Sequence, residues 1–331
     1  MMNPELRFMF IGSREVTDEI RMKPIAECLH ERGLLSAFKY VNEVTLLDIN
    51  NFDIFILLRP ISRASQMLYQ ALKQSGKFVI VDLDDDFFSI PNHHPGYKTV
   101  GPGNQQAIDG LKYILQTANH VTVTHEQLMN RMMLNGAQNV TIIPNGWSRK
   151  NALWLYRKKN VHQTIGWCGT ATHRMDFNEC KKAIEDLSRG MDFDIVIGGD
   201  YEIYDRINMP PHRKIFLPFT SYDNYPWMLG WMDIMLVPLR TDQFNLGKSD
   251  IKLVDAAAKG IPYVASDVPQ YRDHKGGIVV DTKDSWMSAI ADLLKDHDLV
   301  DRHVSEVFEF AQERENDNIA LLWMKMFGEI L

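Results

Sequence analysis

LVPLRTDQFNLGKSDIKLVDAAAKGIPYVASDVPQY, residues 236–271, decides the fold. A short apolar run leads into a polar loop that holds Gly247, Lys248 and Ser249. A helical pattern follows, and Gly260-Ile261-Pro262 turns the chain into a second apolar run. Strand, loop, helix, turn and strand in that order form the repeating unit of a parallel α/β sheet. Lys248 and Ser249 stand where the helix starts, and Lys252 lies one turn along. Backbone donors, a hydroxyl and ammonium groups together suit a pyrophosphate. Asp255, three residues further, is spaced to accept hydrogen bonds from ribose hydroxyls. The competing reading is a capped surface helix whose Lys and Asp are only solvated.

Outward from this stretch, the same alternation fills the chain. RFMFIG (7–12) is an apolar run ending in a glycine turn, followed by helical spacing through Ile20, Ile25, Cys28 and Leu29 to a stop at Gly33. FDIFILL, KFVIVDL, HVTVT and NVTIIP read as buried strands. The theme then restarts at QTIGWCG (163–169), with a helix to about Leu187 and a stop at Gly190. FDIVIGG, KIFLPF, DIMLVPL, IPYVAS and GGIVVD follow. Two consecutive Rossmann-like units are the economical reading. The expected division is 1–147, a linker over 148–161, a second unit over 162–303, and a helical tail over 304–331. The tail packs through Phe308, Phe310, Leu321, Trp323, Met326 and Phe327.

Composition sets the bounds. The 331 residues suffice for about two domains. At 45% apolar and 24% charged, the chain has the balance of a globular protein rather than a disordered one. No apolar run approaches the roughly 18 residues of a membrane helix. The start MMNPELRFMFIGS reads as a first buried strand, not a secretory signal. Cys28, Cys168 and Cys180 are an odd number without CxxC spacing, so neither a disulfide framework nor a zinc site is indicated. These features predict a reducing, cytoplasmic setting. Residues 1–150 carry equal numbers of acids and bases, so the net charge of -7 lies wholly in the remainder. One segment, SRKNALWLYRKKN (148–160), is locally basic and holds Trp154 and Tyr156. It reads either as a solvated linker or as a nucleic-acid contact.

In paired Rossmann-like units, ligands bind outside the carboxyl ends of the strands. The glycine turns Gly12-Ser13 and Gly169-Thr170 both lie at such ends, and neither is GxGxxG. DLDDD (82–86) also ends a strand. Clustered carboxylates can bind Mg2+, but an acceptor-binding or purely structural role is preferred here, so no metal is expected. Asp85, His94 and Lys248 are the candidate catalytic groups. Arg21 and Arg59, near the first unit's strand ends by topology, are candidate acceptor contacts together with Gly12 and Ser13.

KSDIKLVDAAAKGIPYVASD (248–267) resembles the donor-site helix of the retaining glycosyltransferases of GT-B fold, the large family that includes sucrose and mannosyl transferases. VTIIPNGW resembles that family's interdomain segment, IGWCGTATHRMD its nucleotide-binding loop, and WMDIMLVPL the strand before the donor loop. KFVIVDLDDDFFSIP and ILLRP resemble blocks in one bacterial and phage branch. The resemblance implies two Rossmann-like domains facing a cleft, with a final helix crossing back to the first. It also implies a nucleotide-sugar donor such as a UDP- or GDP-sugar, no cofactor and no metal. Donor contacts would come from Gly169, Thr170, His173, Arg174, Lys248, Ser249, Lys252 and Asp255. The family usually carries two glutamates with seven residues between them. Here these positions are Gly247 and Asp255.

The expected activity is therefore transfer of a sugar, with retention, to a hydroxyl acceptor. A saccharide or glycoconjugate is the first candidate acceptor. The runner-up is a hydroxymethylated base in DNA, flipped from the duplex. A sugar-nucleotide epimerase or a noncatalytic binder remains the alternative of a different class. Oligomeric state is not legible.

Overall fold

The computed structural model describes residues 6–281 and 283–331. The chain divides into two compact units. The first comprises residues up to Gly146 together with Leu246–Ser249 and Arg314–Leu331; the second comprises Trp147–Asn245 and Asp250–Glu313.

The first unit alternates strands and helices: β1 (Arg7–Gly12), α1 (Lys23–Glu31), β2 (Leu35–Tyr40), α2 (Leu46–Asn51), β3 (Ile54–Leu58), α3 (Arg63–Gln74), β4 (Phe78–Leu83), α4 (Gln105–Thr117), β5 (His120–Val123), α5 (Glu126–Leu134) and β6 (Val140–Ile142). All pairings are parallel, in the order β2-β1-β3-β4-β5-β6. The order reverses between β1 and β3, so the connections that leave their carboxyl ends run in opposite directions and leave a crevice. Strands β1, β3 and β4 are buried on both faces, which is why they read as continuous apolar runs. The edge strand β2 is half-buried and carries no such run; the sequence reading passes over it.

The second unit repeats the plan with β7 (Thr164–Cys168), α6 (Arg174–Leu187), β8 (Asp194–Gly198), α7 (Tyr201–Arg206), β9 (Lys214–Leu217), α8 (Tyr225–Leu229), β10 (Ile234–Val237), α9 (Ile251–Lys259), β11 (Tyr263–Ser266), β12 (Gly277–Val280), α10 (Lys283–Lys295) and α11 (His297–Glu313). Its parallel sheet runs β12-β11-β10-β7-β8-β9, with the reversal between β7 and β10. Gly260 ends α9 in the left-handed conformation, φ 69°, as a helix-terminating glycine does. The two units are the two Rossmann-like domains of a GT-B fold.

The last helix, α12 (Asn316–Ile330), belongs to the first unit. Ile319, Trp323, Met326 and Phe327 enter the core formed by Phe8, Phe10, Ile25 and Leu29. Phe8 meets Phe327 with ring centroids 4.5 Å apart, and Phe10 meets Trp323 edge-on at 5.6 Å. The tail is two helices, not one. The break between Glu313 and Asn316 resets the helical phase, and Phe308 and Leu321 are 54% and 46% exposed rather than packed.

Candidate active site

In the second unit the crevice opens beside Gly169. Its amide donates to Gly198 O at 3.0 Å, and so serves the sheet end rather than a ligand. Thr170 is exposed; its hydroxyl pairs with that of Thr172 at 2.8 Å. His173 Nδ1 lies 2.9 Å from Asp176 Oδ2. Arg174 Nε donates to Asp200 at 2.7 Å, and its Nη1 pairs with Glu202. Thr170, Arg174, Gly199, Asp200, Tyr201 and Phe219 line an open pocket of about 500 Å³ at the ends of β7, β8 and β9. Phe219 and Asp200 escape the sequence reading because each sits in a short loop without a motif.

Helix α9 points its first turn at the same strand end. Lys252 Nζ donates to Cys168 O at 2.5 Å. One turn on, Asp255 is only 5% exposed and its Oδ1 has no hydrogen-bond partner. Burial raises its carboxyl to about 7, against the opposing pull of Lys252 and a hydrogen bond with Tyr225. A ribose hydroxyl would therefore meet an enclosed carboxyl, not the open carboxylate that the sequence spacing suggests.

That burial has a stability consequence. The folded carboxyl titrates near 7 and the unfolded one near 3.8, so between those values the native state holds the extra proton. This group's contribution to stability then falls as pH rises from 4 to 7. Asp255→Asn is expected to remove the fall. The gap in Tm between variant and parent should widen from pH 4 to 7 and stay constant above. A gap independent of pH would show that Asp255 is already ionised in the folded protein at pH 4.

In the first unit the Gly12-Ser13 turn is closed by the protein itself. Asp18 accepts from Ser13 N at 3.1 Å and Glu15 N at 2.8 Å, and a Cβ on Gly12 would lie 2.2 Å from Asp18 Oδ1. The amides that the sequence offers to a ligand are thus already satisfied. Arg21 is likewise committed: it forks onto Asp82 with both side chains buried, and acts in packing rather than at an exposed acceptor site. Arg59, at φ 45°, forks onto Asp84 and also reaches Asp85 and Glu15.

Every side chain of the acidic run except Leu83 is therefore engaged. Asp82 holds Arg21, Asp84 holds Arg59, and Asp86 accepts from Arg131 at 2.9 Å. Asp85 lies 3.2 Å from both Lys248 Nζ and Arg59 Nη2. Among the described residues, no group of three or more His, Cys, Asp or Glu is placed to hold a metal. His94 shares this corner. Burial and the Lys248 charge lower its pKa, with Asp85 opposing, so the ring is neutral at pH 7. Its Nδ1 accepts from Gly96 N at 3.0 Å, which leaves the proton on Nε2. In this arrangement His94 is a hydrogen-bond donor, not a base. The structure thus brings Asp85, His94 and Lys248 together.

Residues 162–296 match the family model of the glycosyl transferases group 1. Over these residues the chain is similar to the glycosyl transferases group 1. The fold extends the likeness beyond the matched residues. HepE of Anabaena, solved in complex with UDP and glucose, superposes with a TM-score of 0.70 at 12% identity, covering 98% of this chain and 100% of that one. A sucrose-phosphate synthase of Thermosynechococcus elongatus gives 0.67 at 13%, covering 98% and 99%. A glycosyltransferase of Rickettsia africae gives 0.69 at 12%, covering 99% of both chains. A search of curated proteins finds no sequence match.

Two features of the sequence gain a physical reason. The first is the missing glutamate. A Cβ at Gly247 would lie 2.5 Å from Asp86 Cβ, so the segment packs against the acidic run only without a side chain there. The second is the basic segment 148–160. Trp154 is 4% exposed and packs edge-on against Trp147. Lys158 Nζ sits 3.4 Å from the Trp231 ring centroid, and Arg157 donates to Lys259 O at 3.2 Å. Trp154 is core, and stacking on a nucleic-acid base is closed to it.

Two further residues carry no assignment from the sequence. His125 Nε2 donates to Leu246 O at 3.0 Å. Asn145, visible in the sequence only as part of Pro-Asn-Gly, reaches Ser249.

Proposed function

We propose that the enzyme moves a sugar from a nucleoside diphosphate sugar to a hydroxyl of a neutral saccharide or glycoconjugate, with retention and without a metal. The observation that carries the acceptor class is the charge at the first unit's crevice. Among the described residues, the carboxylates Glu15, Asp84 and Asp85 gather there with the cations Arg59 and Lys248, and Arg21 adds its charge at Asp84. Carboxylates accept hydrogen bonds from sugar hydroxyls, whereas a phosphodiester would meet like charge. The burial of Trp154 withdraws one of the two aromatic residues of 148–160 from a DNA acceptor.

On the donor side, the reading rests on the family match over 162–296. A UDP-sugar is favoured by HepE, whose complex holds UDP and glucose. Lys248, Ser249 and Lys252 would offset charge that develops on the departing diphosphate, the task a metal performs elsewhere. Asp85 would hold the acceptor hydroxyl in line, with His94 donating from Nε2.

Mass spectrometry of products from a panel of nucleotide-sugars tests this, each offered with neutral saccharides or with hydroxymethylated DNA. A glycosylated saccharide is expected. Product on DNA alone, or an epimerised nucleotide-sugar with no transfer, would overturn the proposal.

A further inference from the structure

A chain of buried polar groups runs through the first unit to the loop before α9. Thr122 Oγ1 donates to Asp82 Oδ1 at 2.6 Å. Arg21 holds the same carboxylate through Nε at 2.7 Å and Nη2 at 2.6 Å. Its Nη1 donates to Ile143 O at 3.1 Å and to Asn145 Oδ1 at 2.7 Å. Asn145 Nδ2 donates in turn to Ser249 Oγ at 2.8 Å.

The direction of this chain is forced. A guanidinium has donors and no acceptor, so the oxygen of Asn145 must face Arg21. Its amide nitrogen must then face Ser249, and Ser249 Oγ must accept. The hydroxyl proton of Ser249 consequently points away from Asn145. Asn145 is only 3% exposed and Arg21 is buried, so water does not compete for these orientations.

We infer that Asn145 is a positioning residue which, oriented by Arg21, holds the Ser249 hydroxyl as a hydrogen-bond donor for a phosphate oxygen of the nucleotide-sugar. Lys248, the preceding residue, supplies charge and Ser249 supplies direction. This rests on the donor reading above. It assigns a task to the Asn of Pro-Asn-Gly, and it explains why a fully buried arginine is tied to that asparagine.

The test reverses the polarity without changing the shape. Asn145→Asp still accepts from Arg21, but its second oxygen can only accept. Ser249 then turns its proton inward and presents lone pairs to phosphate. Calorimetry with UDP should show affinity falling by on the order of tenfold in Asn145→Asp and equally in Ser249→Ala. The double variant should lose no more than either single one. Ser249→Thr should bind as the parent does. Uridine, which lacks the phosphates, should bind all of these proteins alike.

Parent-like UDP affinity in Asn145→Asp, or in Ser249→Ala, would overturn the inference. So would a parallel loss of UDP and uridine, which marks general damage to the site. Should Asn145→Asp fail to fold, Asn145→Ala with Ser249→Ala completes the same cycle, and additive losses would overturn it. A parent protein that binds neither UDP nor GDP is a separate result, and it defeats the donor reading itself.

Discussion

Replacing Arg21 with methionine is expected to destabilise the first unit by about 3–5 kcal/mol, the cost of leaving one member of a buried ion pair alone. Both partners are enclosed: the side chains of Arg21 and Asp82 are 2% and 0% exposed. In the variant, Asp82 keeps only the Thr122 hydroxyl, while Ile143 O and Asn145 Oδ1 lose a shared donor. Each newly unsatisfied group adds its own desolvation penalty. Urea denaturation followed by circular dichroism measures the loss. Adding Asp82→Asn to Arg21→Met should recover part of it, because the stranded charge is then gone. A loss below about 1 kcal/mol, within the range of exposed pairs, would show that the pair is worth no more than a surface contact. Recovery tests the mechanism separately from the magnitude. A double variant as unstable as the single one would place the cost in lost packing of the arginine stem, not in the carboxylate.

This ion pair also marks where sequence reading stops. Parallel strands buried on both faces announce themselves as apolar runs, so β1, β3, β4, β7, β8 and β10 were legible, as was the restart at Thr164. The edge strand β2 was not, because a half-buried strand needs no apolar run. Helix α9 of the second unit was legible since its apolar spacing and the Gly260 stop follow one another locally. Arg21, in contrast, looks like any surface arginine of a helix. Only the tertiary approach of Asp82, 61 residues away, and Asn145, 124 away, makes it a core residue. Asp18 hides in the same manner. Nothing in its neighbours says that its carboxylate will fill the glycine turn that seemed open to a ligand. The substitution of glycine for glutamate at 247 was visible in the sequence, but its cause was not, since the obstructing Asp86 comes from another strand end.

Trp323→Ala is expected to cost a further large amount, about 3–5 kcal/mol for a large buried aromatic truncated to a methyl. The indole is 1% exposed and lies between Phe10 and Phe327. Removing it leaves a void beside β1 and withdraws the main anchor of α12. The location of the loss matters as much as its size. Because α12 belongs to the first unit, the damage should be read there by hydrogen exchange. Amides of β1 and β3 should lose protection, while those of β10 and β11 keep theirs, since local openings follow the cooperative unit that contains the defect. Trp323→Phe, which retains an aromatic ring, should lose less than half as much. Equal loss of protection in both sheets would mean that the two units unfold as one, and that α12 stabilises the whole chain rather than the unit it completes. Protection unchanged in β1, with exchange faster only within α12, would mean that the helix frays from a core that stands without it.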